Sequence, residues 1–339
     1  MGKKNLIWTV VCLFFSLLLL GGCSSMQDKT VSTKLQYPDR PITIIVPFSV
    51  GGGIDLTARS LEKFAPQYLK QPLVVVNKPG GAGAIGWNEL SVANPDGYTL
   101  GITSLDILLL PSYGSTKYNY PTALDPLAQI ASLPMVLAVQ ANQPWKTMDE
   151  IIEYAKKNPG QLKFGHVGVG SFTHLLGEMF GQEASIAIEQ VPFTGAGEVT
   201  AALLGGHIQL TFINPMVVKG HAKDGMVRVL AVTSEQRMSD PVFAEVPTFK
   251  EQGLDIVISN WYGVAAPKEM PDEVKDKLAE GFKAIISDPQ FIKNMTNIGM
   301  QVDYLGPKES QLKWLSDNEK LAKILKQTDV LDKIKAQKK

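Results

Sequence analysis

Cysteine is almost missing from this chain: in 339 residues only Cys12 and Cys23 occur. With Cys12 expected to be removed by cleavage and Cys23 to be acylated, no thiol remains for a disulfide or for a cysteine-based metal site. An excess of charge is missing too, with 33 basic residues against 33 acidic ones. A balanced chain is a poor match for nucleic acid or for a polybasic membrane surface, so no nucleic-acid partner is expected. The Gly-x-Ser-x-Gly elbow of the serine hydrolases does not occur. The four histidines (His166, His174, His207, His221) show no metal-ligand spacing. They are expected to be structural, with His174 supporting the loop before it. No cofactor is called for.

A long apolar run occurs once. Lys3 and Lys4 precede an apolar stretch over residues 6–20, and Leu20-Gly21-Gly22-Cys23 follows. Basic, apolar and small-residue parts in this order predict a lipoprotein signal peptide over residues 1–22, cleaved before Cys23. Cys23 is then the expected lipidation site, and residues 23–36, which are polar, a flexible tether. The protein is thus expected outside the cytoplasm, anchored to the membrane through Cys23. Losing Lys3 and Lys4 leaves 31 basic residues against 33 acidic, still near neutral. An anionic ligand must then be held by local dipoles rather than by a global positive field. With one apolar run spent on export, a transport role requires separate membrane subunits.

What is present is a repeated strand, glycine turn and helix. Residues 42–46 (Ile42-Thr43-Ile44-Ile45-Val46) read as a buried strand, and Pro47 ends it. Gly51, Gly52 and Gly53 then admit positive φ and close approach of a ligand, before a helix through Leu56, Ala58, Leu61 and Phe64. A helix begins with backbone N–H groups that have no internal partner, which makes a natural anion site. The same arrangement recurs after Phe164, leading to Gly170, Ser171, Thr173 and His174, and after Val191, leading to Gly195 and Ala196. Ser104 and Asn214 close two further strands. Thr147, with Glu150 three residues on, reads as a helix N-cap. Residues 113–126, rich in Tyr, Pro and Ser, read as a loop excursion, and the tail from Pro271 as helical. Alternating strands and helices imply parallel α/β sheets, and about 300 mature residues imply two domains.

Two patterns point elsewhere. Gly81, Gly83 and Gly86 fit a dinucleotide fingerprint, with Asp106 twenty residues on where a ribose-binding acid would stand. However, Asn77-Lys78-Pro79 separates the strand from those glycines, and an exported protein meets no nicotinamide pool. Ser171 is the candidate nucleophile if the protein is an exported hydrolase, although His174 is too near in sequence to complete a triad.

The ordered set Tyr37-Pro38-Asp39-Arg40-Pro41, Gly51-Gly52-Gly53-Ile54-Asp55, Val76-Asn77-Lys78-Pro79-Gly80-Gly81, Asn94-Pro95-Asp96-Gly97-Tyr98, Leu204-Gly205-Gly206-His207, Leu230-Ala231-Val232-Thr233-Ser234, Glu245-Val246-Pro247-Thr248-Phe249 and Trp261-Tyr262-Gly263 resembles the tripartite tricarboxylate transporter substrate-binding family, the Bug receptors. The resemblance implies an α/β, two-domain, periplasmic-binding-protein-like clamshell of the type II kind. Each domain would be a mainly parallel sheet flanked by helices. It implies no catalysis. The expected ligand is a small organic acid of the di- or tricarboxylate class, and the expected partners are the small and large membrane subunits of a tripartite transporter. The receptor itself would be a monomer, with a ligand-sensing co-receptor as the alternative role. Residues 37–138 and 262–339 would form one domain and 139–261 the other, with hinge strands near 135–140 and 259–264. Carried over, the ligand would meet Pro47, Phe48, Gly51, Gly52, Asp55 and Ser104 on one side. Gly170, Ser171, Thr173, Gly195, Ala196 and Asn214 would meet it on the other. This chain departs from the family at Ile54, where a threonine is common. It departs again at Phe193-Thr194-Gly195, where Tyr-Lys-Gly is common and Glu198 follows.

Overall fold

The computed structural model describes residues 36–114, 116–327 and 329–337. The expected signal peptide, nearly all of the tether and Cys23 lie outside them. Every element below falls within the unit Pro38–Lys339.

The chain opens with strand β1 (Ile42–Val46), helix α1 (Gly53–Tyr68) and β2 (Leu73–Asn77). After a 3-10 turn come α2 (Ala84–Ser91), β3 (Thr99–Ser104), α3 (Asp106–Ser112), α4 (Tyr120–Ala123) and β4 (Leu124–Pro134). The chain then enters β5 (Val136–Gln140), α5 (Met148–Lys157), β6 (Lys163–His166), α6 (Phe172–Glu183) and β7 (Glu189–Pro192). Next are α7 (Ala196–Leu204), β8 (Leu210–Ile213), α8 (Pro215–Lys223) and β9 (Val227–Val232). It closes with β10 (Ser259–Pro267), α9 (Asp272–Ile286), α10 (Pro289–Asn297), β11 (Val302–Leu305), α11 (Pro307–Gln327) and α12 (Val330–Gln337).

Two sheets result. One has six strands in the order β11-β4-β10-β3-β1-β2, the other five in the order β7-β6-β8-β5-β9. Both are mixed. β1 pairs parallel with β2 and β3, and β6 pairs parallel with β7 and β8. The long strands β4 and β10 and the short β5 pair antiparallel with their neighbours. The expectation of mainly parallel sheets therefore holds only for the strand-helix-strand units. It fails for the strands that carry the chain from one sheet to the other, because these run against the strands they join.

The β-branched runs form the strands, and their buried side chains form the cores: Ile44, Ile45, Val46, Ile102 and Val264 on the six-stranded sheet. Val136, Ala138, Leu203, Ile208 and Val232 pack together on the other. Trp87 is fully buried and donates its indole N–H to Ile102 O at 3.0 Å, fixing α2 to β3. Gly101 leaves room beneath it, since a Cβ there would lie 2.5 Å from Leu90. The expected capping box at Thr147 is present: Glu150 N donates to Thr147 Oγ1 at 3.3 Å and Thr147 N to Glu150 Oε2 at 3.2 Å.

Two strands escape the sequence reading. β4 carries Pro126 within residues assigned to a loop, and its pairing with β10 shifts register twice, so regular alternation is lost. β11 is four residues long and lies in the tail expected to be helical.

The chain crosses between the sheets at residues 134–135 and again between β9 and β10. Thr233 ties the crossings together. Its N donates to Met135 O at 2.9 Å, and its hydroxyl accepts from Met135 N at 2.9 Å while donating to Ile258 O at 2.7 Å.

Candidate functional site

The carboxyl ends of the parallel strands face a shared cleft, where α/β sheets ordinarily place ligands. Its volume is about 540 Å³ with its open mouth included. The six-stranded side contributes Phe48, Gly52, Gly53, Ile54, Ser104, Asp106, Asn260 and Tyr262. The other side contributes Val167, Phe172, Thr173, Ala196, Val199, Phe212, Ile213 and Asn214, with Met135 at the crossing. No lysine, arginine or histidine lines it among the described residues.

Besides α3, which begins at Asp106, four helix N-termini border this cleft among the described residues, and these four fall into two kinds. α6 and α8 are capped by the chain itself. Ser171 Oγ accepts from His174 N at 3.2 Å, and Asn214 Oδ1 accepts from Met216 N at 3.0 Å. α1 and α7 begin instead at Gly52 and Gly195, which have no side chain to cap with. Their first-turn N–H groups point out of the helix, where an anion would complete them. The two glycine N-caps also let the loops meet closely. A Cβ on Gly52 would lie 3.3 Å from Ala196 Cβ, and one on Gly195 would lie 2.8 Å from Ser49 N. Ser49 N donates to Thr194 O at 3.3 Å across that contact.

Of the expected site residues, Phe48, Gly52, Ser104, Thr173, Ala196 and Asn214 line the cleft. Pro47, Gly51, Asp55, Gly170, Ser171 and Gly195 stand one step behind it. Pro47 packs under α2, where a Cβ on Gly86 would meet it at 3.0 Å. Gly51 has φ +88°, and its N donates to Asp55 Oδ2 at 2.9 Å. Asp55 is buried and serves the loop: Oδ2 also accepts from Arg59 Nε at 3.0 Å, and Oδ1 from Asn77 Nδ2 at 3.0 Å. Burial pushes its pKa up, but the hydrogen bonds from Arg59, Gly51 and Asn77 more than offset this and hold it below the usual carboxylate value. Asn77 Nδ2 also donates to Phe48 O at 3.0 Å, so the acid reaches the cleft only through the loop it braces.

His166 and His174 do the same for the second loop. Their rings stack at 4.2 Å and 11°, both fully buried. His166 Nδ1 accepts from Gly168 N at 3.2 Å and His174 Nδ1 from Gly170 N at 3.0 Å. Each ring thereby serves as an acceptor on that nitrogen, in line with the structural role expected of them. Ser171 Oγ faces His174 N and Thr173 Oγ1 (3.2 Å), whereas the imidazole of His174 is occupied by Gly170.

Two residues at the centre were not singled out as ligand contacts. Tyr262 is buried against Asn214, whose Nδ2 donates to its hydroxyl at 3.3 Å. Burial pushes the phenol far above its ordinary pKa, so it keeps its proton and can donate it. Asp106 is 3% exposed, and its carboxylate accepts from Ser104 Oγ at 2.7 Å and from Phe172 N at 2.6 Å. It thus reaches from one sheet's side to cap a helix on the other. The proton of Ser104 is spent on Asp106 and is not offered to a ligand. The available signal was position, since Asp106 lies two residues past a strand end already marked by Ser104. The glycine fingerprint around Gly81 holds no comparable cleft role for Asp106 as a ribose acid, because its acceptors turn to Ser104 and Phe172.

Comparison with known proteins is consistent over nearly the whole chain. The family model described as "Tripartite tricarboxylate transporter family receptor" matches residues 57–330. Protein BugT of Bordetella pertussis is 35% identical over 239 residues, 68% of this chain and 72% of its own. The solved periplasmic binding protein BugD is 29% identical with a TM-score of 0.81, covering 87% of this chain and 99% of that one. An R. palustris protein solved with adipate is 27% identical with a TM-score of 0.81, covering 88% and 98%.

Proposed function

The chain belongs to the tripartite tricarboxylate transporter receptor family, and from that premise we propose that it captures a small organic acid of the di- or tricarboxylate class and delivers it to a pair of membrane subunits. A receptor of this family acts outside the cytoplasm as a binding protein rather than an enzyme. The lipid anchor at Cys23 belongs to the same proposal, and so does the delivery step. The adipate of the R. palustris relative is one example of the ligand chemistry.

The observation that carries the reading is the pair of helix N-termini without a side-chain cap at Gly52 and Gly195, which meet at the rim of the cleft, where Gly52 and Ala196 line it. With Tyr262 as a hydroxyl donor they offer a carboxylate several N–H and O–H groups without a cationic side chain. The apolar walls, among them Phe48, Phe172, Val199 and Phe212, suit the carbon skeleton. In this proposal the two sides close on the ligand, bending where the chain crosses at residues 134–135 and near Ile258, with Thr233 as the shared pin. The hydrolase alternative loses support at Ser171, which caps a helix and has no imidazole nitrogen as a partner.

A thermal-shift screen of organic acids against the full chain tests the reading. A ligand at 100 times its dissociation constant stabilises by about 2.7 kcal/mol, which is readily seen as a raised melting temperature. A panel of mono-, di- and tricarboxylates that leaves the transition unmoved would remove the proposal.

A further inference from the structure

The last helix parts from the element that leads to it. α11 lies against the six-stranded sheet. There Trp314 stacks on Trp261 at 5.8 Å and 16°, Trp261 Nε1 donates to Asp317 Oδ2 at 3.0 Å, and Gln129 N donates to Ser310 Oγ at 3.1 Å. α12 follows shortly after, and it packs on α6, which belongs to the five-stranded side. Val330, Ile334 and Gln337 share one face of α12 by their spacing. Val330 and Ile334 are fully buried, and Gln337 Nε2 donates to Glu178 Oε1 at 3.1 Å. The contact leads on to the cleft wall. Glu178 Oε1 lies 3.4 Å from His174 Nε2, and the same ring accepts from Gly170 N on Nδ1 at 3.0 Å. Gln337 also lines a groove with Ala82, Gly168 and Thr194, where loops of the two sides come together. None of the crossing residues Pro134, Met135 and Ile258 lines that groove. A contact at a pivot is hardly stretched when two bodies turn about it, whereas one away from the pivot must give way.

We propose that α12 is a clasp: built on the six-stranded side through α11, it grips α6 of the other side and limits how far the cleft gapes when no ligand is bound. This rests on closure about the two crossings and not on which acid is bound. Val330 and Ile334 supply the apolar hold, and Gln337, exposed near the helix end, supplies a polar one that substitution can tune. Held partly closed, the receptor keeps a larger share of its population competent to bind, and apparent affinity scales with that share. Loosening the clasp weakens capture without altering a residue of the cleft.

Hydrogen exchange of the ligand-free full chain, resolved to single amides, tests the inference. Two amides report the gap between the sides: Ser49 N, which donates to Thr194 O, and Phe172 N, which donates to Asp106 Oδ1. Ser49 decides, because it reaches the other side through Thr194 and not through α12. Gln337→Glu sets like charge against Glu178 and is expected to speed exchange at Ser49 by about two- to fivefold, and Gln337→Lys to slow it by a similar factor, the scale of a partly exposed ion pair. Ile334→Asp is expected to speed it by about tenfold or more, since a charge cannot stay in that buried face. Faster exchange confined to α12 and α6, with Ser49 unmoved, makes α12 a packing element only and overturns the inference while closure stands. Amides of Ser49 and Phe172 that exchange as slowly as those of β1 in every protein mean that the sides do not part, and closure falls with the clasp. Where Ile334→Asp does not fold, the two Gln337 variants decide, because they change an exposed side chain.

Discussion

His166 shows how a single side chain can tie loop geometry to solution conditions. Burial, and next the neighbouring His174, lower its pKa from 6.5 to about 4. The unfolded chain takes up a proton near 6.5, whereas the folded chain does so only near 4. Between those values the unfolded state binds more protons, so stability rises with pH across the window. The contribution is complete above 6.5 and is lost as pH falls toward 4. At about 1.4 kcal/mol per pH unit it amounts to at most about 3–4 kcal/mol. Urea unfolding at a series of pH values is expected to show that slope, and His166→Gln to flatten it; an unchanged slope in the variant would assign it elsewhere. The residue scale is also where sequence reading reached least far. Asp55 was visible as an acid in an anion loop. Its service to Gly51, Arg59 and Asn77 depends on β2 lying beside β1, which no local pattern states. Asp106 meets Phe172 across 66 positions of sequence, so its partner lay beyond any spacing rule.

At the scale of elements, the strand-turn-helix units were legible because their signals are local: a β-branched run, a proline or glycine stop, then apolar residues at helical spacing. β4 and β11 were not, because their pairing comes from distant strands and tolerates Pro126 and register shifts. The units are closely packed as well as legible. Gly177 sits where α6 crosses β6, and a Cβ there would lie 2.0 Å from the ring of Phe164, itself fully buried. Gly177→Ala is therefore expected to destabilise by about 1–3 kcal/mol despite alanine's better helix propensity. A lowered urea midpoint with an unchanged slope would bear this out, whereas a gain in stability would show that propensity outweighs packing here.

For the whole molecule, the contact between the two glycine-capped loops is the point at which closure can be tested apart from stability. Gly195 has extended backbone, so alanine is unstrained there, yet its Cβ would lie 2.2 Å from Ser49 Oγ. Gly195→Ala is expected to hold the loops apart, weakening ligand binding by about tenfold or more while the ligand-free melting temperature stays put. Unchanged affinity would mean that binding does not require that approach. The two-sheet architecture itself could be expected from length and from the alternation of elements. The mixed pairing could not, since it follows from the way the chain returns.

That return decides the order in which the molecule can be assembled. The five-stranded sheet is built from one uninterrupted stretch between Val136 and Val232, so all its strands are available once that stretch has been made. The six-stranded sheet places β10 at its centre, between β3 and β4, and waits for Pro267 before it can close. Until then β3 and β4 each keep an open edge, the kind of surface that recruits stray strands. A chain made from its N-terminus onward therefore completes the inserted half first and leaves the earlier-made half exposed longest. A holding chaperone would find its target in β1 to β4, although these strands are synthesised before the rest.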